Sequence, residues 1–123
     1  GHINQDMVRY EVHRVWEVEA NLREGQRHIY ARRHFFIDED NWQAGEIDHY
    51  DGRGGLWRIA EAMALQRFDK QVPGYAIETL YDLQSGRYMA LGMTNEERKN
   101  YDFSFTASSA DFTPNALRAS GIR

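Results

Sequence analysis

Hydrophobic and polar side chains alternate along two neighbouring segments near the start of the chain. Between residues 8 and 22 the even positions are mostly apolar and the odd positions mostly polar. Over residues 29–37 the odd positions are mostly apolar instead, with Phe35 and Ile37 at their end. A period of two residues is typical of a β-strand with one face on a core and the other on water. The glycine-containing segment 23–26 therefore predicts a β-hairpin between the two.

The short connection predicts a register for this hairpin. If Leu22 faces Arg27 across the loop, Glu17 lies opposite Arg32 on the solvent face. The same register predicts three further cross-strand pairs, namely Val12 with Ile37, Val18 with Ala31 and Ala20 with Ile29. The apolar alternations and the charge pair agree, which makes this hairpin the strongest structural prediction.

Turn residues divide the middle of the chain. Asp and Asn predict a turn at 38–41, because their side chains hydrogen-bond the local backbone, and a third strand follows at 42–50. Glycines predict a tight turn at 51–55. Residues 56–68 contain good helix formers but also fit period two. We predict a strand there, since a tight turn after a strand favours a hairpin.

The second half of the chain predicts another hairpin and a short helix. Residues 72–74 include Pro and Gly and indicate a chain break, after which strands are expected at 75–83 and 87–94. A solvated connection at 95–100 leads to an alternation at 101–107, which predicts a last short strand. Thr113 and Pro114 are typical of a helix start, and that helix runs to Gly121.

These elements predict a mainly β fold. Five to seven antiparallel strands in sequential order form a meander sheet, with one short C-terminal helix. Residues 1–7 are interpreted as a tag remnant and leader, because Gly1-His2 lacks an initiator Met. Residues 8–123 form a single β domain, which we interpret as the C-terminal part of a longer protein.

Composition narrows the functional classes. The chain has 123 residues, of which 41% are hydrophobic, 28% charged and 13% aromatic, with a net charge of −4. The acidic balance disfavours nucleic-acid binding, which requires a positive surface facing phosphates. Cysteine is absent, which excludes disulfides, thiolate metal sites and a cysteine nucleophile. No apolar run reaches the roughly 18 residues of a membrane-spanning helix.

Catalytic and metal-binding motifs are not found in the sequence. It contains no phosphate loop in a strand-to-helix context, no GxSxG elbow, no HExxH and no EF-hand run. His28 and His34 share a face of the predicted second strand, but their six-residue separation is about 20 Å, too far to share one ion. We therefore expect a protein that is not an enzyme and has neither a cofactor nor a metal.

A set of charged residues falls on the otherwise apolar face of the predicted sheet. Arg14 and Arg33 lie diagonally across the first hairpin, Glu46 is expected opposite Arg33, and Asp48 is expected near Arg58. Buried charges are costly unless they are paired. This row is therefore either an ion-pair network that fixes the register or a partly open groove that receives the anionic head of a ligand.

The aromatic content favours an uncovered apolar surface. So many aromatic side chains on one curved sheet cannot all be covered by one short helix, so the excess must face the rest of the parent protein, a partner or an apolar ligand. Arginine suits the binding of an anionic head group because its planar fork binds carboxylate or phosphate at two points. The candidate ligand-binding residues are Arg14, Trp16, Arg33, Glu46 and Arg58.

Several turn motifs resemble one bacterial family. The segments 13–16 (HRVW), 50–54 (YDGRG), 81–88 (YDLQSGRY) and 111–114 (DFTP) are similar to those of the outer membrane lipoprotein-sorting proteins of unknown function, domain of unknown function 1329. The resemblance covers nearly the whole chain apart from about residues 1–7. Members are considerably longer than this chain, and no catalytic residue is established for them.

The resemblance implies a secreted cell-envelope protein of Gram-negative bacteria, located in the periplasm or at the periplasmic face of the outer membrane. It implies a fold similar to the lipoprotein-localisation factors, in which a curved antiparallel meander sheet forms an incomplete barrel that holds acyl chains. The expected function is thus a lipid or hydrophobic-ligand carrier. The alternative is a non-catalytic domain that docks the rest of its parent chain, an envelope transporter or an outer-membrane protein. Bare strand edges also make a homodimer of the fragment an alternative to the monomer.

Overall fold

The computed structural model describes residues 1–98 and 101–121, whose six strands form one open antiparallel sheet in the order β1-β2-β3-β4-β5-β6. The strands are β1 (Val15–Asn21), β2 (Arg32–Asp38), β3 (Ala44–Tyr50), β4 (Leu56–Arg67), β5 (Val72–Asp82) and β6 (Arg87–Leu91). Short 3-10 helices cover Gln5–Met7 and Ser109–Phe112, and helix α1 covers Pro114–Ser120. The predicted mainly β meander with a short C-terminal helix is confirmed.

Three aspartates organise three of the hairpin turns. The Oδ1 atom of Asp38 accepts hydrogen bonds from two backbone N–H groups of the turn after β2, at 2.8 and 3.2 Å. Asp51 does the same after β3 and Asp82 after β5. Gly54 and Gly86 complete the last two turns in the left-handed region, with φ of 80° and 68°. Each carboxylate thus replaces the strand partner that the turn backbone lacks.

The first hairpin has the predicted faces but a different register. Strand β1 begins at Val15 instead of residue 8, and a ten-residue connection, 22–31, replaces the short loop. Val18 pairs with Phe35 and Glu17 with Phe36. The predicted pairing of Glu17 with Arg32 is therefore wrong, as are the three pairs predicted with it. Because the register moves by an even number of residues, each side chain keeps its predicted face.

Between β2 and β3 the register differs from the prediction by an odd number of residues. Arg33 pairs with His49, whereas Glu46 pairs with Phe36, and a β-bulge follows between Phe36 and Ile37. The predicted pairing of Arg33 with Glu46 is wrong by an odd number of residues, which places the glutamate on the opposite face.

The segment 56–68, which contains good helix formers, was predicted as a strand. Strand β4 (Leu56–Arg67) confirms this prediction. The predicted break at 72–74 is wrong, because β5 already begins at Val72 and the turn lies before it, with Gln71 at φ 55°. Pro73 pairs with Gln66 of β4. Strand β6 pairs with β5 only as far as Glu78, so the proline lies where β5 has a free edge and no second ladder requires its N–H.

The C-terminal region is helical where predicted and lacks the last strand. Residues 101–107 contain no strand, and the predicted connection at 95–100 extends beyond the described residues. Thr113 caps α1, its Oγ1 atom accepting a hydrogen bond from the Ala116 N–H at 3.2 Å. Within the described part of the chain, α1 packs on no strand. No described helix is long and apolar enough to cross a membrane.

The two faces of the sheet differ in chemistry. One face, called here the apolar face, carries Trp16, Val18, Phe35, Ile37, Ile47 and Leu80. The other, the acidic face, carries Glu17, Glu19, Glu46, Asp48 and Glu61, and the hydroxyl of Tyr10 donates to Glu61 across it at 3.2 Å. No hydrophobic side chain among the described residues is buried. The apolar face is therefore uncovered at β1, where Trp16 and Val18 are exposed, and half-buried at Phe35, Ile37, Ile47 and Leu80.

Candidate functional site

A row of charged side chains crosses the apolar face at one end. The register places Arg33 of β2 opposite His49 of β3, His49 opposite Arg58 of β4, and Arg58 opposite Asp82 of β5. Directly paired residues lie on the same face of a sheet. Two of the predicted ligand-binding arginines, Arg33 and Arg58, therefore share this face, with a histidine between them.

Aromatic rings from outside the regular ladder cover this row. The ring of Tyr30, in the β1–β2 connection, lies 4.4 Å from the ring of His49, and its hydroxyl accepts a hydrogen bond from Arg58 at 2.9 Å. Trp57 occupies the bulge between the Tyr50–Leu56 and His49–Arg58 pairs. Its indole lies 4.2 Å beneath the guanidinium of Arg58, a cation–π contact. The bulge thus aims the indole at the row.

Asp82 anchors the far end of the row. Its carboxylate accepts hydrogen bonds from Trp57 Nε1 at 3.1 Å and from Arg58 Nε at 3.0 Å. The backbone N–H of Ser85 and then the Arg58 guanidinium lower the pKa of Asp82 to about 2. Asp82 consequently neutralises Arg58 and leaves Arg33 as the uncompensated charge of the row.

His49 is the most enclosed member of the row, with 9% of its surface exposed. Its Nδ1 atom is buried and has no hydrogen-bond partner. Burial lowers the pKa of His49, and the charges of Arg33 and Arg58 act in the same direction. The imidazole is therefore neutral at pH 7 and contributes no charge beside Arg33.

His49 predicts a pH dependence of stability. Since its folded pKa lies below the ordinary value of 6.5, the unfolded chain binds this proton more readily, and stability falls as the pH drops below about 6.5. We expect His49→Phe to reduce the loss of Tm between pH 7.5 and pH 5 by a few degrees in thermal unfolding of the full-length protein. The exposed His28 provides the control, His28→Gln. An unchanged pH profile for the His49 variant would contradict the assignment.

The remaining predicted ligand-binding residues lie elsewhere. Arg14 precedes β1, leaves 87% of its side chain exposed and forms an ion pair with Glu39. It is six positions from Ala20, the β1 residue opposite Arg33, or about 20 Å along the strand. The predicted diagonal contact between Arg14 and Arg33 is thus wrong. Trp16 lies on the apolar face opposite Ile37 with 56% exposure.

Glu46 lies on the acidic face, where it pairs with Glu61. Burial raises the pKa of Glu46, and the carboxylates of Asp48 and Glu61 raise it further. Asp48 pairs with Ile59, so its predicted proximity to Arg58 is also wrong. Neither carboxylate neutralises the arginines of the apolar face.

Three neighbours of the row were not predicted from the sequence, namely Tyr30, Trp57 and Asp82. The signal for Asp82 was its position before a Ser-Gly turn, which indicates a side chain that caps the turn. Tyr30 and Trp57 lie in an irregular connection and a bulge, where period-two reasoning assigns no face.

A small group of potential metal ligands lies outside the row. Ligand atoms of His13, Asp38 and Asp40 lie within 4.8 Å of one another. His13 Nδ1 lies 2.6 Å from an oxygen of Asp38, and this hydrogen bond raises the pKa of the imidazole. The other oxygen of Asp38 accepts two turn N–H groups. The turn and its histidine thus account for both carboxylate oxygens of Asp38.

Comparison with known proteins identifies the family. Residues 1–118 match the family described as "Protein of unknown function (DUF1329)". The chain is 69% identical over 123 residues to "Uncharacterized protein PA3922" of Pseudomonas aeruginosa, and it spans 27% of that protein's length. The chain thus covers about a quarter of this curated relative.

Two solved structures share the fold. One is a putative outer membrane lipoprotein-sorting protein domain from Vibrio parahaemolyticus, with a TM-score of 0.50 and 15% identity over 85% of this chain and 42% of that one. The other is a DUF1329 family protein from Desulfovibrio piger, with a TM-score of 0.51 and 16% identity over 84% of this chain and 40% of that one. Together with the sequence match, these comparisons show that the chain belongs to the DUF1329 family of proteins of unknown function.

Proposed function

We propose that the chain is part of a lipid or hydrophobic-ligand carrier of the bacterial cell envelope, in which the apolar face holds the hydrocarbon of the ligand. The observation that carries this proposal is the uncovered apolar face. Trp16 is 56% and Val18 43% exposed, and the described residues include no buried hydrophobic side chain. Exposed apolar surface on this scale is typical of an interaction or ligand site.

The charged row makes one end of the apolar face polar. Hydrocarbon buried against the apolar face stabilises a complex by roughly 0.8 kcal/mol per methylene. At one end of the face, Arg33 and Arg58 lie where the head group of an amphiphile would be placed, and Trp16 lies farther along the face. The Vibrio structure is described as a lipoprotein-sorting domain, which supports a hydrophobic cargo and a periplasmic location for this chain as well.

The proposal does not include catalysis. Asp82 bonds Arg58 and the turn backbone, and His49 is enclosed beneath Tyr30. We therefore propose a binding role.

The test is direct detection of a bound ligand in the full-length protein. Native mass spectrometry and lipid extraction of purified protein are expected to show a hydrophobic ligand, and a fluorescent fatty acid is expected to bind at micromolar concentration or below. A preparation that is free of lipid and also fails to bind fluorescent fatty acids would overturn the proposal.

The second candidate is a docking domain for an envelope transporter or an outer-membrane protein. One observation favours it. Helix α1 packs on no described strand, and the apolar side chains of Phe112 and Leu117 at the C-terminal helices are 81% and 75% exposed. Crosslinking that maps partner contacts to this region, combined with a complete lack of ligand binding, would favour docking over carriage.

A further inference from the structure

The ten-residue connection between β1 and β2 borders an open cleft at the charged end of the apolar face. A hydrogen bond from the Leu22 N–H to the Ala31 carbonyl, at 2.8 Å, closes the base of the connection. Its tip is a turn with Gly25 at φ 76°, stabilised by the Gln26 N–H, which donates to the Arg23 carbonyl at 3.1 Å. The cleft between the tip and β2 has a volume of about 300 Å³.

The lining of this cleft is cationic. Arg23, Arg27 and Arg33 all contribute to it, together with Gln26, His28 and Tyr30, and its lining includes no carboxylate. Among residues 1–98 and 101–121, none of the three arginines forms an ion pair. Arg23, Arg27 and Arg33 are exposed and place three positive charges around this volume in a chain with a net charge of −4, which favours an anion there.

Polar groups beside the arginines are also available to an anion. Nδ1 of His28 accepts a hydrogen bond from the Tyr30 N–H at 3.0 Å, which places the ring proton of the neutral tautomer on Nε2 as a free donor. His49, opposite Arg33, is neutral because its pKa is lowered, so it neither adds a positive charge nor gives a proton to a bound anion. The cleft thus presents positive charge and several hydrogen-bond donors, and no carboxylate.

We propose that this cleft binds a phosphate group, either free or as the head group of a lipid. A phosphate suits the cleft better than a single carboxylate because it carries up to two charges and presents several acceptor oxygens to forked guanidinium donors. This inference rests on the proposed carrier function only where the phosphate is the head group of a lipid.

The register supplies the direction of such a lipid. Arg33, Phe35 and Ile37 follow one another along the same face of β2, and Trp16 lies opposite Ile37. Successive residues of one face are about 7 Å apart along a strand. With the phosphate in the cleft, the acyl chains lie over Phe35 and Val18 and extend toward Trp16.

The test compares two lipids that differ only in the phosphate. Isothermal titration of full-length protein with dioctanoyl phosphatidate is expected to give roughly tenfold tighter binding than with dioctanoylglycerol. The double variant Arg23→Gln/Arg27→Gln, in an exposed loop, is expected to lose this preference. The control variant Arg9→Gln/Arg118→Gln removes the same charge from exposed positions outside the cleft and is expected to retain it. Equal affinities for the two lipids, or an unchanged preference in the loop variant, would overturn the proposal.

Inorganic phosphate identifies the source of the group. Displacement of phosphatidate only at high phosphate concentration supports a lipid head group, whereas phosphate binding that the loop variant abolishes, without binding of either lipid, supports free phosphate. The latter result would disprove the carrier function but would still support phosphate binding in the cleft. Binding of dioctanoylglycerol with no effect of phosphate or of the loop variant would disprove the cleft and leave the carrier function intact.

Discussion

Replacing Phe35 with Gln is expected to weaken the binding of a fluorescent fatty acid to the full-length protein by roughly ten- to a hundredfold. Phe35 lies near the centre of the apolar face, between Val18 of β1 and Ile47 of β3. Burial of such a ring against hydrocarbon contributes about 1.5–3 kcal/mol, and an amide in its place needs hydrogen bonds that a hydrocarbon lacks. The dissociation constant from a fluorescence titration measures the effect.

The neighbouring residue provides the matched control. Phe36 has the same side chain but lies on the acidic face, between Glu17 and Glu46. Phe36→Gln is therefore expected to leave the dissociation constant within about twofold, whatever it does to stability. Comparable losses in both variants would indicate a general effect on folding, and a loss confined to Phe36 would place the ligand on the acidic face.

Asp82→Asn is expected to lower the Tm of the full-length protein by roughly 5 °C or more at pH 7. The substitution removes the charge that pairs with Arg58 and replaces one acceptor oxygen by a donor, so the contacts with Trp57, Arg58 and the β5–β6 turn cannot all be kept. The exposed Asp69, with 75% of its side chain accessible, provides the control. Asp69→Asn is expected to change the Tm by about 1 °C or less.

Acidification tests the same contacts independently. Because the pKa of Asp82 is depressed from 3.8 to about 2, its contribution to stability is complete above pH 4 and is lost as the pH falls toward 2. The Tm difference between wild type and Asp82→Asn is therefore expected to be constant from pH 7 to pH 5 and to shrink below pH 4. A difference that persists unchanged at pH 2–3 would show that the carboxylate charge is not the cause.

The faces of the first hairpin could be predicted from the sequence, whereas its register could not. Alternation fixes which side chains share a face because the strand period is two residues. The register depends on the loop, and the connection 22–31 is held by backbone contacts that composition does not reveal. One of these is the Ala31 N–H, which donates to the carbonyl of Tyr50 on β3 at 3.0 Å. This contact ties the end of the loop to a strand outside the hairpin.

The charged row shows the same limit more severely. Arg33 and Arg58 could be placed on the apolar face from alternation, but their neighbours depend on bulges that each shift the count by one residue. Ile37 pairs with Ala44 instead of Trp42, which moves the register by two residues, and the bulge between Phe36 and Ile37 adds one more. Together they exchange Glu46 for His49 as the partner of Arg33. The prediction therefore placed Arg33 and Arg58 on the correct face and assigned them the wrong partners.

Turns and the helix start were predicted more accurately because their signals are local. Asp38, Asp51 and Asp82 act on backbone groups two to four residues away, and Thr113 caps a helix three residues on. The alternation at 101–107 failed as a strand signal since a strand also needs a partner edge, which the sequence pattern does not supply. Local chemistry is readable from sequence, and long-range pairing is much less so.

The closed base of the β1–β2 connection has an evolutionary consequence. Because the bond between Leu22 and Ala31 isolates the tip from the ladder, residues 23–28 can be exchanged, lengthened or recharged without altering the pairing of β1 with β2. Relatives with the same sheet can therefore diverge through this one segment. If the cleft binds phosphate as proposed, a graft of the tip from one relative onto another would transfer that preference as a unit.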